Sequence, residues 1–119
     1  MGFELFVKPG KVVTPLATIW SRGQIAINIG AIRAYRLDRY PYAQLYFDPD
    51  AMRIGIRFVE RPVEGAITVT KQPSTVVLSA TPFLHHHRIR HAVPTRYRFR
   101  YDADASLYII DLKQPMPKE

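Results

Sequence analysis

Apolar and polar positions alternate with a period of two along most of this chain, the pattern of β-strands that bury one face. Its clearest instance is Thr95-Arg96-Tyr97-Arg98-Phe99-Arg100-Tyr101, where Tyr97, Phe99 and Tyr101 fall on one side and Arg96, Arg98 and Arg100 on the other. The aromatic side needs a core. The arginine side needs water or an anionic partner, because like charges placed side by side repel. The same alternation predicts strands over 16–20 and 24–29, joined by Ser21-Arg22-Gly23, a turn in which glycine takes positive φ at little cost. A hairpin follows over 42–47 and 52–59, around Asp48-Pro49-Asp50-Ala51. Ala43, Leu45 and Phe47 share a face of its first strand, and Met52, Ile54, Ile56 and Phe58 share a face of its second. Further strands are expected over 66–70, 75–80 and 107–112, the last one returning from Asp102-Ala103-Asp104-Ala105. Near the start, a short apolar run over 3–7 ends at Pro9-Gly10 and reads as an arm.

Two stretches break the alternation. Gly30 is positioned to begin a helix over 31–38, with Ile32, Tyr35 and Leu37 as its apolar side and Arg33, Arg36 and Arg39 on another. Pro41 ends it, since the residue before proline is pushed out of the α region. Thr81 as N-cap and Pro82 at the first helical position predict a second helix, through the histidines to about Arg90.

The turn Asp48-Pro49-Asp50-Ala51 matches Asp102-Ala103-Asp104-Ala105 at an offset of 54, which sets Leu45 against Phe99 and Ile56 against Ile110. Upstream, Ile27 and Leu78 match at an offset of 51. The expected fold class is therefore α+β, mostly β, with two pseudo-symmetric β-β-α-β-β repeats packed into one barrel-like domain. The arm covers 1–15, the repeats 16–61 and 62–114, and a frayed tail 115–119. Neither repeat alone has enough apolar residues for a core, so the two are expected to pack on each other.

Composition sharpens the functional side of this picture. Of 119 residues, 47% are hydrophobic and 23% charged, an ordinary globular balance. Seventeen Lys and Arg against ten Asp and Glu leave a net charge of +7, with a pI of about 10.0. The cations are mostly arginine, whose planar fork suits phosphate, and such a balance favours an anionic partner, nucleic acid first. The chain has no cysteine, which removes disulfides, thiol nucleophiles and thiolate metal sites. With no apolar run long enough for a membrane span and no signal-like start, the expectation is a cytoplasmic protein with no membrane partner.

The candidate contacts are Arg96, Arg98 and Arg100, with Arg88 and Arg90 just upstream and Arg22, Arg33 and Arg36 in the first half. In the first repeat the comb is replaced by Tyr42, Gln44 and Tyr46, so the core faces agree while the outer faces differ. Two readings compete: a phosphate-binding surface, or a charged strand protected against edge-to-edge aggregation. His85-His86-His87 with His91 has partial metal spacing, but no carboxylate or thiol lies beside it and Arg88 and Arg90 oppose a cation. The Asp-x-Asp turns lack the further acidic ligand of a calcium loop. No Gly-rich phosphate loop, nucleophile elbow or His-Glu-x-x-His occurs, so the expectation is a non-enzyme without cofactor or metal.

Ser21-Arg22-Gly23-Gln24-Ile25-Ala26-Ile27, then an arginine-bearing helix and a hairpin ending Arg53-Ile54-Gly55-Ile56, resembles the AbrB/SpoVT/MazE group over residues 18–59. These are small DNA-binding domains of swapped-hairpin β-barrel fold, among them transcription regulators and antitoxins. The chain departs from the group at Asn28, where proline is typical, and at Arg39-Tyr40-Pro41, which replaces a Gly-Asp turn. The resemblance implies that two copies in one chain imitate the group's homodimer, and it sets Arg22 and Arg33 at its basic DNA-contacting positions. The expected function is DNA binding through phosphates, with DNA preferred over RNA, in the manner of a small transcription regulator. A single-strand binder is a variant of this reading. The reading from another class is a protein-interaction or assembly module that uses an exposed sheet edge, with a homodimer as its simplest partner.

Overall fold

The computed structural model describes residues 2–3 and 13–117, so most of the expected arm, with its Pro9-Gly10 turn, lies outside the described residues. Nine strands form one sheet among the described residues: β1 (Leu16–Ile19), β2 (Gln24–Asn28), β3 (Tyr42–Asp48), β4 (Arg53–Val59), β5 (Ala66–Gln72), β6 (Thr75–Ser79), β7 (Thr95–Arg98), β8 (Arg100–Asp102) and β9 (Leu107–Asp111). They are ordered β7-β1-β2-β6-β5-β3-β4-β9-β8 and curl into a nearly closed barrel. Two short helices, α1 (Ile29–Tyr35) and α2 (Thr81–His86), follow β2 and β6.

The two margins of the sheet, β7 and β8, are neighbours in the chain, separated by Phe99 alone. β7 pairs with β1, and β8 pairs with β9. One extended length of chain therefore joins the two margins. The expected continuous strand over 95–101 is broken at Phe99, whose N–H donates to the Pro15 carbonyl at 3.1 Å while its ring is buried.

Strand alternation fills the interior. Ala17, Ile19, Ile25, Ile27, Ile54 and Ile56 are fully buried, and cross-strand pairs such as Ile25 with Leu78 and Ile54 with Ile110 meet inside. Gln24 pairs with Ser79 and Asn28 with Thr75, so β2 and β6 run in opposite directions and their helices leave from opposite ends of the barrel. At one end Tyr35 of α1 packs edge-on against Phe99 and Tyr108, at 6.1 and 4.9 Å. At the other, the ring of His87 just after α2 packs tilted against Phe47, with centroids 4.6 Å apart.

The helices differ from expectation at their ends. Asn28, not Gly30, caps α1, with its Oδ1 accepting from the Ala31 N–H at 3.0 Å. Gly30 lies inside the helix, at a position where an added Cβ would run into the Val13 carbonyl. α1 stops at Tyr35, since Arg36 takes left-handed backbone (φ 53°), and a 3-10 turn over Leu37–Arg39 then buries Leu37. Thr81 is not the cap of α2. It lies within the helix, and its hydroxyl donates to the Arg22 carbonyl at 3.0 Å. α2 ends at His86, four residues short of the expected Arg90, because Arg88 also turns left-handed (φ 56°). That turn lets the Ile89 N–H donate to the Leu84 carbonyl at 2.8 Å and sinks the Ile89 side chain.

Two further expectations are corrected. Tyr101 does not join the core with Tyr97 and Phe99; it is 46% exposed, beyond the break, with its ring 5.0 Å from Tyr108. The tail is not frayed from residue 115. Pro115 bridges to Tyr97, and the Met116 N–H donates to the Arg96 carbonyl at 2.7 Å, covering the outer margin of β7. No helix among the described residues is long and apolar enough to cross a membrane.

Asn28 ties three segments together. Besides capping α1, its Oδ1 accepts from the Leu16 N–H at 3.0 Å and its Nδ2 donates to the Thr14 carbonyl at 2.8 Å. Asn28→Ala should lower unfolding stability by about 1–3 kcal/mol, the sum of a lost cap and partly buried hydrogen bonds. Urea titration checks this, and a midpoint equal to that of the unsubstituted protein would show that these bonds carry no net stability.

Candidate nucleic-acid interface

The eight arginines singled out by sequence do not form one patch. Arg22 and Arg90 line a groove of about 450 Å³ together with Trp20. Arg98 and Arg100 share a smaller depression of about 310 Å³ with Arg53 and Asp111. Arg33 and Arg36 are exposed on α1 and its left-handed cap, at the end of the barrel away from α2. Arg88 is exposed on the turn after α2.

Arg96 belongs with the first group. It pairs with Thr18, which lines a second trough beside Trp20 and Arg22, and both side chains point outward because Ala17, Ile19 and Tyr97 point in. Trp20, two residues beyond Thr18 on that face, is then a diagonal neighbour of Arg96, a separation of about 7–8 Å between such positions. The comb is thus divided, with Arg96 facing one site and Arg98 and Arg100 another.

Backbone hydrogen bonds assemble the groove from residues about 70 positions apart in the chain. The Trp20–Gly23 turn closes with the Gly23 N–H donating to the Trp20 carbonyl at 2.9 Å. It is latched to the start of α2 by the Ala80 N–H donating to the Gly23 carbonyl at 3.0 Å and by the Thr81 hydroxyl on the Arg22 carbonyl. Gly23 holds a left-handed φ of 94°, and an added Cβ would fall on Thr81. After α2, the fold-back at Ile89 returns Arg90 and His91 alongside this turn.

The electrostatics are one-sided. Among the described residues there is a single ion pair, Arg53 Nε to Asp111 at 3.8 Å, which is an ionic contact too long for a hydrogen bond. Among the described residues, none of the eight candidate arginines has a carboxylate within that range. Sequence reading missed Trp20, which is 40% exposed. The signal was present, since Trp20 shares the parity of Thr18 rather than that of the buried Ala17 and Ile19.

The histidines do not gather into a metal centre: among the described residues no group of three or more His, Cys, Asp or Glu is placed to hold one. Both Asp-x-Asp turns use Asp48 and Asp102 internally, each Oδ1 accepting two backbone N–H groups of its own turn at 3.0–3.3 Å. His91 Nε2 lies 2.6 Å from the Tyr97 hydroxyl, and its buried Nδ1 has no hydrogen-bond partner among the described residues. Burial holds the His91 imidazole below the usual histidine range and pushes the Tyr97 hydroxyl up. His87 is lowered too, by burial and then by the neighbouring His86. His91 therefore contributes a neutral wall to the groove, and its cations are the arginines. No family model, curated protein or solved structure matches the chain.

A lowered histidine pKa means that the unfolded chain binds protons that the folded chain refuses. Stability should then be full above about pH 6.5, the ordinary histidine value, and fall as pH drops below it. Thermal melts between about pH 7.5 and 5.5 should show the midpoint falling with acid. His91→Gln, which still offers Tyr97 a partner, should flatten that fall. A variant with unchanged acid sensitivity would remove His91 from the account.

Proposed function

We propose that this chain is a non-enzymatic nucleic-acid-binding barrel that grips phosphates with unpaired arginines, DNA before RNA, in the manner of a small cytoplasmic transcription regulator. The observation that carries the reading is the charge balance on the folded surface. A chain of net charge +7 presents Arg22, Arg90 and Arg96 around one exposed tryptophan, and among the described residues none of the three is ion-paired to a carboxylate. Unpaired arginine forks beside an aromatic ring suit a polyanion that also carries planar bases.

The finer architecture we propose is two pseudo-symmetric β-β-α-β-β repeats, which in one chain stand in for the two subunits of an AbrB-like dimer. Registers support it. Across β2 and β6, Ala26 faces Val77, its own counterpart at the offset of 51, and Gln24–Ser79 exchanges with Asn28–Thr75 about that point. Across β4 and β9, Gly55 faces Ile109, its counterpart at the offset of 54, and Ile54–Ile110 exchanges with Ile56–Tyr108. Met52 and Ser106, equivalent at the same offset, both have left-handed backbone after equivalent Asp turns. The alternative of an assembly module docking through a sheet edge has little edge to use among the described residues, because closure leaves the short β7 and β8 as margins and Pro115–Met116 lies along β7.

Binding of a labelled DNA duplex between about 50 and 200 mM salt tests the reading, since each phosphate contact adds about −0.9 to the log–log slope for duplex and about −0.7 for single strands. Arg96→Ala should weaken binding and flatten the slope by about one contact. Salt-insensitive binding, or none to duplex or single strand at the low-salt end, would overturn it.

A further inference from the structure

Resting on the nucleic-acid reading, we propose that the groove between the Trp20–Gly23 turn and the segment after α2 receives one unpaired nucleotide of a single-stranded nucleic acid. The base lies against Trp20, and the phosphates flanking it are held by Arg22 and Arg90.

Three observations point to this occupant. First, the walls of the groove combine an aromatic ring and aliphatic side chains, Leu84 and Ile89, with two arginines, and among the described residues no Asp or Glu lines it. A planar apolar group with adjoining negative charge matches those walls, and a nucleotide is such a unit. Second, the volume of about 450 Å³ lies within the range of about 300–1,000 Å³ typical of small-molecule sites, room enough for one nucleotide rather than a duplex. A base inside a duplex is already stacked on its neighbours, so an aromatic wall in a pocket favours bases that are free of a partner strand.

Third, the groove has a continuation. Trp20 and Arg22 also line the trough that crosses β1, β2 and β6, a surface of neutral side chains such as Thr18, Gln24 and Gln72 with Ala26 at its centre. Arg96, paired with Thr18, stands along this trough. A polymer is therefore favoured over a free mononucleotide: one base enters the groove while its backbone leaves across a smooth sheet face flanked by a cation. The frame is rigid on both sides, through the latch of Gly23 and Arg22 carbonyls onto Ala80 and Thr81 and the fold-back of Ile89 onto Leu84. Such a pre-formed site loses little freedom on binding.

Trp20 is the sole tryptophan of the chain, so its fluorescence reports the groove and the trough that continues it. The probes are oligodeoxyuridylate and oligouridylate of about 12 nucleotides, within the site sizes of ~4–16 nucleotides that single-strand binders cover, with a self-complementary duplex of equal length and free deoxyuridine monophosphate. Saturable quenching by either single strand, at concentrations where duplex and mononucleotide leave the emission unchanged, is expected, and the tighter strand identifies the sugar preferred. By anisotropy with labelled strand, Trp20→Ala should weaken binding by about 5- to 150-fold, the range for loss of one stacked base. Arg22→Ala with Arg90→Ala should lower the log–log salt slope by about 1.4, two single-strand contacts. Circular dichroism shows whether each variant is folded, and Trp20→Phe, which keeps an aromatic wall, should retain most of the affinity. Binding of single strands that leaves Trp20 emission unchanged and is insensitive to these substitutions would overturn the groove as the site while leaving nucleic-acid binding intact. Equal quenching by duplex, or by the mononucleotide, would overturn the single-strand assignment. No binding to any probe would overturn the general reading as well.

Discussion

A β-sheet that stops leaves a row of unpaired N–H and C=O groups at each margin, and this sheet meets both margins with one length of chain. Residues 95–98 pair with β1, residues 100–102 pair with β9, and Phe99 between them turns its ring inward and its N–H to the Pro15 carbonyl. The rest follows from that closure. Once Tyr97 and Phe99 are fixed inward, Arg96, Arg98 and Arg100 have to face solvent. Because β7 lies beside β1, Arg96 comes to stand by Thr18 and the Trp20 turn. The helices plug the two ends, α1 with Tyr35 against Phe99 and α2 with the ring of His87 against Phe47.

The strands were legible in sequence because a half-buried strand writes its parity directly. Ile25 and Ile27 in β2, and Ile54, Ile56 and Phe58 in β4, are buried as their alternation predicts. Helix ends were much less legible. Arg36 and Arg88 stop their helices by turning left-handed, a conformation the residue type does not advertise, and Asn28 caps α1 from the last position of a strand. Tyr101 kept the right parity in the wrong place, since the interior ends at Phe99.

For the candidate site, the charges could be read but not their grouping. Arg22 and Arg90 share a groove only because Ala80 and Thr81 latch the Trp20–Gly23 turn to α2 and because Ile89 folds back, contacts between residues far apart in sequence. Arg33 and Arg36, close to Arg22 in the chain, are sent to the other end by the direction of β2. Trp20 carried its own signal in the alternation of β1, and it went unread beside the louder pattern of arginines.

If the unpaired arginines serve a polyanion, the protein should take up nucleic acid whenever salt is low. Its ratio of absorbance at 260 and 280 nm, measured after purification at low salt and again after a high-salt wash, is the most direct check. The account predicts a ratio raised by co-purifying nucleic acid that falls to the value for protein alone after the wash, in keeping with contacts that screening releases. A ratio already at the protein value in the low-salt preparation, and unchanged after that preparation is mixed with single-stranded and duplex DNA and repurified at low salt, would contradict it.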